Sequence, residues 1–98
     1  MAAYVIVEAF ITDAEGYEKY KPLAAASIAT YGGSYKSRGG TTESLEGDPG
    51  IGRVVVLEFP DLERARQWYN SDEYREASQL RQAAARSRIF IVDGYEPG

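Results

Sequence analysis

Residues 3–11, AYVIVEAFI, and residues 53–59, RVVVLEF, decide the fold of this 98-residue chain. Each is too short for a typical helix, rich in β-branched and aromatic side chains, and apolar on both alternations of an extended backbone. In the first run Val5, Val7, Ala9 and Ile11 stand against Tyr4, Ile6 and Phe10; in the second Val55, Leu57 and Phe59 stand against Val54 and Val56. Such strands belong in a sheet whose two faces are both covered.

Outward from these runs the chain alternates in kind. Thr12-Asp13-Ala14-Glu15 has capping-box spacing, with Thr12 at the N-cap and Glu15 reaching back to it. Tyr17, Tyr20, Ala24, Ile28 and Tyr31 then recur at steps of three and four, an apolar helical stripe that Gly32-Gly33 stops. Pro22 lacks an N–H and crowds the turn before it, so a kink is expected, or two abutting helices with Pro22 first in the second. Residues 34–38, SYKSR, lie between glycine pairs and predict a short strand; Thr41 to Leu45 pairs back across Gly39-Gly40 as a hairpin, and residues 46–52 are loop. After Pro60, Asp61 caps a helix burying Leu62, Ala65, Trp68 and Tyr69. Asn70-Ser71 breaks it, and Ser71 caps a second helix that carries Asp72 and Glu73 in its first turn and Tyr74, Ala77, Leu80 and Ala84 on its buried side. Residues 88–93, RIFIVD, form the last strand, closed by Gly94.

This order predicts an α+β fold, a ferredoxin-like βαββαβ antiparallel sheet with the helices on one face, as one domain over residues 1–98. Helices cover only one side of the sheet. The other side would leave an apolar face beyond the few hundred Å² that a monomer tolerates. A second copy packed sheet to sheet about a two-fold axis covers it and closes a dimeric α/β barrel. The expectation is a homodimer through the sheet face; the competing reading is an imperfectly patterned monomer.

Eleven basic against fifteen acidic residues give a net charge of −4, which argues against a nucleic-acid partner. The chain has no cysteine and no histidine, which removes disulfides, thiolate nucleophiles, imidazole bases and a histidine haem ligand. No metal site is expected from its scattered carboxylates, and no cofactor. The first residues, MAAYVIVE, carry no basic leader and reach a charge by Glu8, so neither a signal peptide nor a membrane span is expected and the cytoplasm is the default location.

The segments AYVIVEAFITDAEGYEKY, ATYGGSYKSRGG, LEGD, RVVVLEFPDLERARQWYNSDEY and RIFIVDGY resemble, in order and spacing, the short bacterial proteins called domain of unknown function 1330. The resemblance covers nearly the whole chain. It implies the dimeric α/β-barrel superfamily, whose members include cofactor-independent monooxygenases, lactone isomerases and haem-dependent proteins. The haem branch relies on a histidine that this chain lacks. The resemblance implies no particular reaction.

Glu8 and Glu58 sit late in the two apolar strands and are the candidate proton-transfer residues, if both enter the space beyond the uncovered sheet face. The competing reading leaves them solvated or paired with arginine. Arg38, followed by Gly39-Gly40, is the leading binding candidate, since a guanidinium at a strand end offers a rigid fork to a carboxylate or phosphate. A salt bridge from Arg38 to Glu8, Glu58 or Glu46 competes with that role. Tyr20, Tyr31, Trp68, Tyr69 and Tyr74 are candidate walls of a pocket for an aromatic molecule or small organic acid, though at helical spacing the core role is the stronger reading. Arg53 and Arg88 are expected at the surface or dimer rim, and Arg81 in a structural ion pair. Two functions follow: a binding protein for a small anionic or aromatic molecule in a cleft between sheet and helices, or a cofactor-independent monooxygenase- or isomerase-like enzyme with a carboxylate base.

Overall fold

The alternation Ala3-Val5-Val7-Ala9 is buried and its counterpart Tyr4-Ile6-Glu8-Phe10 only half-buried, so the first apolar run has one covered and one open side. This is seen in a computed structural model that describes residues 1–97. The run is strand β1 (Ala3–Ile11), followed by α1 (Ala14–Thr30), β2 (Ser34–Arg38), β3 (Arg53–Phe59), α2 (Leu62–Tyr69), α3 (Asp72–Ala84) and β4 (Ala85–Asp93). The sheet order is β2-β3-β1-β4 and every neighbouring pair is antiparallel, the ferredoxin-like arrangement. Helices lie on one face, in a slab only 16 Å through its thinnest axis.

Between the layers, Val5, Val7, Val55, Leu57 and Phe59 of the sheet meet Tyr17, Tyr20, Ala24, Ile28, Ala65, Trp68, Tyr74 and Ala77 of the helices. The indole of Trp68 donates to Ser27 Oγ at 3.0 Å, so its buried N–H is paired. The helix ends follow local chemistry. Asp61 accepts from Arg64 N and Ser71 from Tyr74 N. At the end of α1, Gly32 (φ 76°) donates to Ala29 O and Gly33 to Ile28 O, a Schellman stop that needs the left-handed residue.

Four expectations change. Asp13, not Thr12, caps α1, accepting from Gly16 N, because the Thr12 hydroxyl and the Thr12 and Asp13 amides are all engaged by the Ala84 carbonyl at the end of α3. Helix α1 runs through Pro22 as one element, since its buried stripe on both sides of the proline outweighs one missing hydrogen bond. Thr41 to Leu45 forms no strand: Gly39 N to Val54 O is the last cross-strand bond, and the polar segment, with Leu45 exposed, has no apolar alternation for pairing to bury. Strand β4 begins at Ala85, not residue 88, because β1 offers partners along its full length, from Asp93 opposite Ala3 to Ala85 opposite Ile11.

Strand β2 carries a β-bulge. Tyr35 pairs with Leu57, but Ser37 pairs with Val56 and Arg38 with Val55, so the extra residue, Lys36, shifts the alternation. Arg38 is thereby turned to the helix side, beside Tyr35, instead of the face that Ser34 shares with Glu58.

The uncovered face carries Tyr4, Ile6, Phe10, Val54, Val56, Phe90 and Val92, with Phe90 46% and Val92 48% exposed. Glu8, Glu58, Arg86 and Arg88 lie on it too, with Ser34 and Ser37 of β2.

A Cβ on Gly33 would stand 2.7 Å from the Phe59 ring and 2.8 Å from Ile28 Cγ2. Gly33→Ala is expected to destabilise the fold by about 1–3 kcal/mol through overpacking, read as a lower midpoint in urea.

Candidate functional site

The bulge that turns Arg38 inward builds a cleft between α1 and the β2–β3 side of the sheet. Val7, Val55 and Leu57 form its floor, Ile28 and Tyr20 of α1 its far wall, and Tyr35 its near side. Lys21, Arg38 and Arg53 stand at its rim. The cleft is narrow, with about 10 Å³ of space for the centre of a water molecule, room for roughly one.

Every polar side chain around it is a donor. The Arg38 guanidinium stacks 4.4 Å from the Tyr35 ring centroid. Arg53 lies 5.4 Å from the Tyr17 ring centroid and donates from Nη1 to Tyr17 Oη at 3.1 Å. Gly39 (φ 70°) lets the chain pass Arg53, whose Nε lies 2.8 Å from where a Cβ would be. Lys21 pairs with the exposed Glu18 at 2.8 Å, and this hydrogen bond, with lesser help from Arg53, holds the Glu18 carboxyl below its ordinary value. Among the described residues, no carboxylate lies within 4 Å of Arg38 or Arg53. Burial pushes the Tyr35 phenol up, while Arg38 and Arg53 pull it the other way.

Behind Tyr20 a polar network runs into the core. Tyr20 Oη and Tyr74 Oη are 3.1 Å apart, Arg81 Nε donates to Tyr74 Oη at 3.3 Å, and Arg81 Nη1 donates to Ser87 Oγ. Arg81 is 3% exposed, and among the described residues it forms no ion pair. The expected ion pair is thus replaced by hydroxyls. Burial foremost, then the neighbouring Tyr74, pushes the Tyr20 phenol far above its ordinary value.

The remaining candidates are dispersed. Glu8 and Glu58 lie on the uncovered face, at opposite ends: Glu8 pairs with Val54 and Glu58 with Tyr4, four residues along the strands, about 13 Å. Glu8 accepts from Gly52 N at 3.2 Å, and Glu58 lies 3.7 Å from Lys36. Glu58 also raises the Tyr4 phenol above its ordinary value, by hydrogen bonding first and by charge second. The sheet therefore separates both carboxylates from Arg38. Trp68 and Tyr74 are buried, Tyr31 donates to Glu73 at 2.7 Å, and Tyr69 lines a separate apolar groove beside Ile89 and Ile91. Of the candidates named from sequence, only Arg38 and Tyr20 meet in the cleft. Lys21, Tyr35 and Arg53 join them unannounced, and Arg53 is not the surface ornament expected.

With this geometry in place, the comparisons agree with the fold. A family model described as domain of unknown function (DUF1330) matches residues 2–95. The chain belongs to that family. No curated protein matches it. Among solved structures, a protein of unknown function from Rhodopseudomonas palustris is 21% identical, with a TM-score of 0.79 over 98% of this chain and 84% of that one. SnoaB, a cofactor-independent oxygenase from Streptomyces nogalater, is 12% identical, with a TM-score of 0.65 over 98% and 95%. A Caulobacter crescentus protein named as a candidate antibiotic biosynthesis monooxygenase is 15% identical, with a TM-score of 0.66 over 97% and 91%. At these identities the likeness carries the fold alone. Among the described residues, no helix of this DUF1330 protein is long and apolar enough to cross a membrane, and no group of three or more acidic side chains is placed to hold a metal ion.

The Tyr20 shift has a pH consequence. Below about pH 10 both folded and unfolded chains keep this proton, and stability is undiminished; above it the unfolded chain releases the proton while the folded chain holds it. Stability then falls by about 1.4 kcal/mol per pH unit for this group. Tyr20→Phe is expected to flatten the alkaline loss by one proton, measured from urea unfolding between pH 10 and 12.

Proposed function

We propose that this protein binds a small organic anion with an apolar body in the cleft between α1 and the sheet. The observation that carries this reading is the convergence of Arg38 and Arg53 on an apolar floor with, among the described residues, no carboxylate within 4 Å of either. A guanidinium beside a low-dielectric wall attracts an anion more strongly than one in open water, and its fork suits a carboxylate. Val7, Ile28, Val55 and Leu57 suit a hydrocarbon or aromatic body. The space for one water means that a ligand enters as the flexible rim side chains of Lys21 and Arg38 swing outward. The enzymatic alternative draws support from the names of structural neighbours, but Glu8 and Glu58 are too far from this cleft to serve it as a base.

The test is titration with pentanoate and benzoate at low ionic strength, followed by amide NMR. Saturable shifts at Tyr35, Ile28 and Val55 are expected, with affinity lowered about tenfold in Arg38→Gln and in Arg53→Gln. Saturation unchanged in both variants, or no shift at these residues, overturns the reading.

The uncovered sheet face supports a second copy of the chain as its partner. It is apolar at the centre, at Ile6, Val56 and Phe90, and carries both signs of charge, at Glu8, Glu58, Arg86 and Arg88. Such a patch is self-complementary about a two-fold axis. Sedimentation at micromolar concentration is expected to give twice the chain mass, and Ile6→Glu to give single chains; a monomeric wild type would sink the dimer.

A further inference from the structure

Tyr20 and Tyr74 share one hydrogen bond, which uses only one of their two hydroxyl hydrogens, and Arg81 Nε donates to Tyr74 Oη beside it. Whichever phenol donates to the other, one hydroxyl hydrogen has no acceptor among the described residues. Arg81 settles which. By donating to Tyr74 Oη it draws electron density from that hydroxyl and makes it the better donor, so Tyr74 gives its hydrogen to Tyr20. The free hydrogen then sits on Tyr20, which is 7% exposed and forms the wall of the cleft. Arg81 is buried with no ion pair among the described residues, and its hydrogen bonds to Tyr74 and Ser87 offset part of the cost of burying its charge.

Resting on the anion reading above, we infer that Tyr20 is the inner hydrogen-bond donor to the ligand, polarised by the positioning residue Arg81 through Tyr74, and that the ligand is an oxo acid: a carboxylate held by Arg38 and Arg53 and a carbonyl oxygen that takes the Tyr20 hydrogen. A plain fatty or aromatic acid satisfies the rim but leaves the inner hydrogen unmet. A dicarboxylate would satisfy both ends only by burying a second charge against an apolar floor.

The experiment compares pentanoate with 2-oxopentanoate and 4-oxopentanoate by amide NMR titration, in wild type, Tyr20→Phe, Arg81→Lys and Arg81→Met. At least one oxo acid is expected to bind about tenfold tighter than pentanoate in the wild type. Tyr20→Phe should erase that preference, so that this variant binds pentanoate and the oxo acids with the same affinity. Arg81→Met should reduce the preference, and Arg81→Lys should retain more of it. Tyr20→Phe removes one oxygen from a well-packed ring, so it carries the test even if Arg81→Met fails to fold. Equal binding of all three acids in the wild type, or a preference that survives Tyr20→Phe, overturns the oxo-acid inference and leaves the anion site standing. Failure of every acid to bind overturns the anion reading, and the inference with it.

Discussion

Strand β1 holds the molecule together, because it is hydrogen-bonded on both sides along nearly its whole length, to β3 from Ala3 to Ala9 and to β4 from Ala3 to Ile11. Register has a large consequence in such a strand, since a slip of one residue would move Val5 and Val7 from the covered side to the open one. The covered side then dictates where helices go. Ala3, Val5, Val7 and Ala9 are small or medium side chains, which leaves room for the broad rings of Tyr17, Trp68 and Tyr74 from above. Trp68 bridges the two layers, its ring centroid 4.2 Å from that of Tyr74 on α3 and 5.3 Å from that of Phe59 on β3, so aromatic rings meet where the helices join the sheet.

An aromatic helical layer brings hydroxyls with it, and the fold satisfies them with cations. Tyr17 meets Arg53 and Tyr74 meets Arg81, while Asp13 and Asp61 cap helices, Glu63 and Asp72 form surface pairs, and Glu8 and Glu58 lie on the open sheet face. A chain with net charge −4 thus surrounds one cleft with positive and hydrogen-donating groups. Overall charge reports on long-range attraction and solubility, whereas the cleft is governed by the few groups within a Debye length of it.

The sequence made the sheet and most helix ends legible because the signals are local: Asp61 and Ser71 cap, Gly32-Gly33 stops, and the alternations of β1 and β3 repeat every two residues. It misled where a distant element competed for the same groups. Thr12 reads as a cap until Ala84 is seen to hold its hydroxyl, and Pro22 leaves two abutting helices open until one helix is seen to run through it. The candidate site was less legible than the fold. Glu8 and Glu58 share one face but lie far apart on it, and Arg38 lies on the other side because of a single bulged residue that leaves no mark in the residue types of SYKSR.

The amino-acid sequence by itself determined the element order, the antiparallel sheet with one helical layer, and the excess of apolar surface on the sheet, because each follows from patterns repeated over a few residues. Only the tertiary structure decided that Lys21, Arg38 and Arg53 would share a cleft with Tyr20, and that Arg81 would lie buried among hydroxyls. Those placements depend on a bulge, on the packing angle of α1 and on contacts between residues as far apart as Tyr20 and Tyr74, and no local pattern encodes a contact across such a distance.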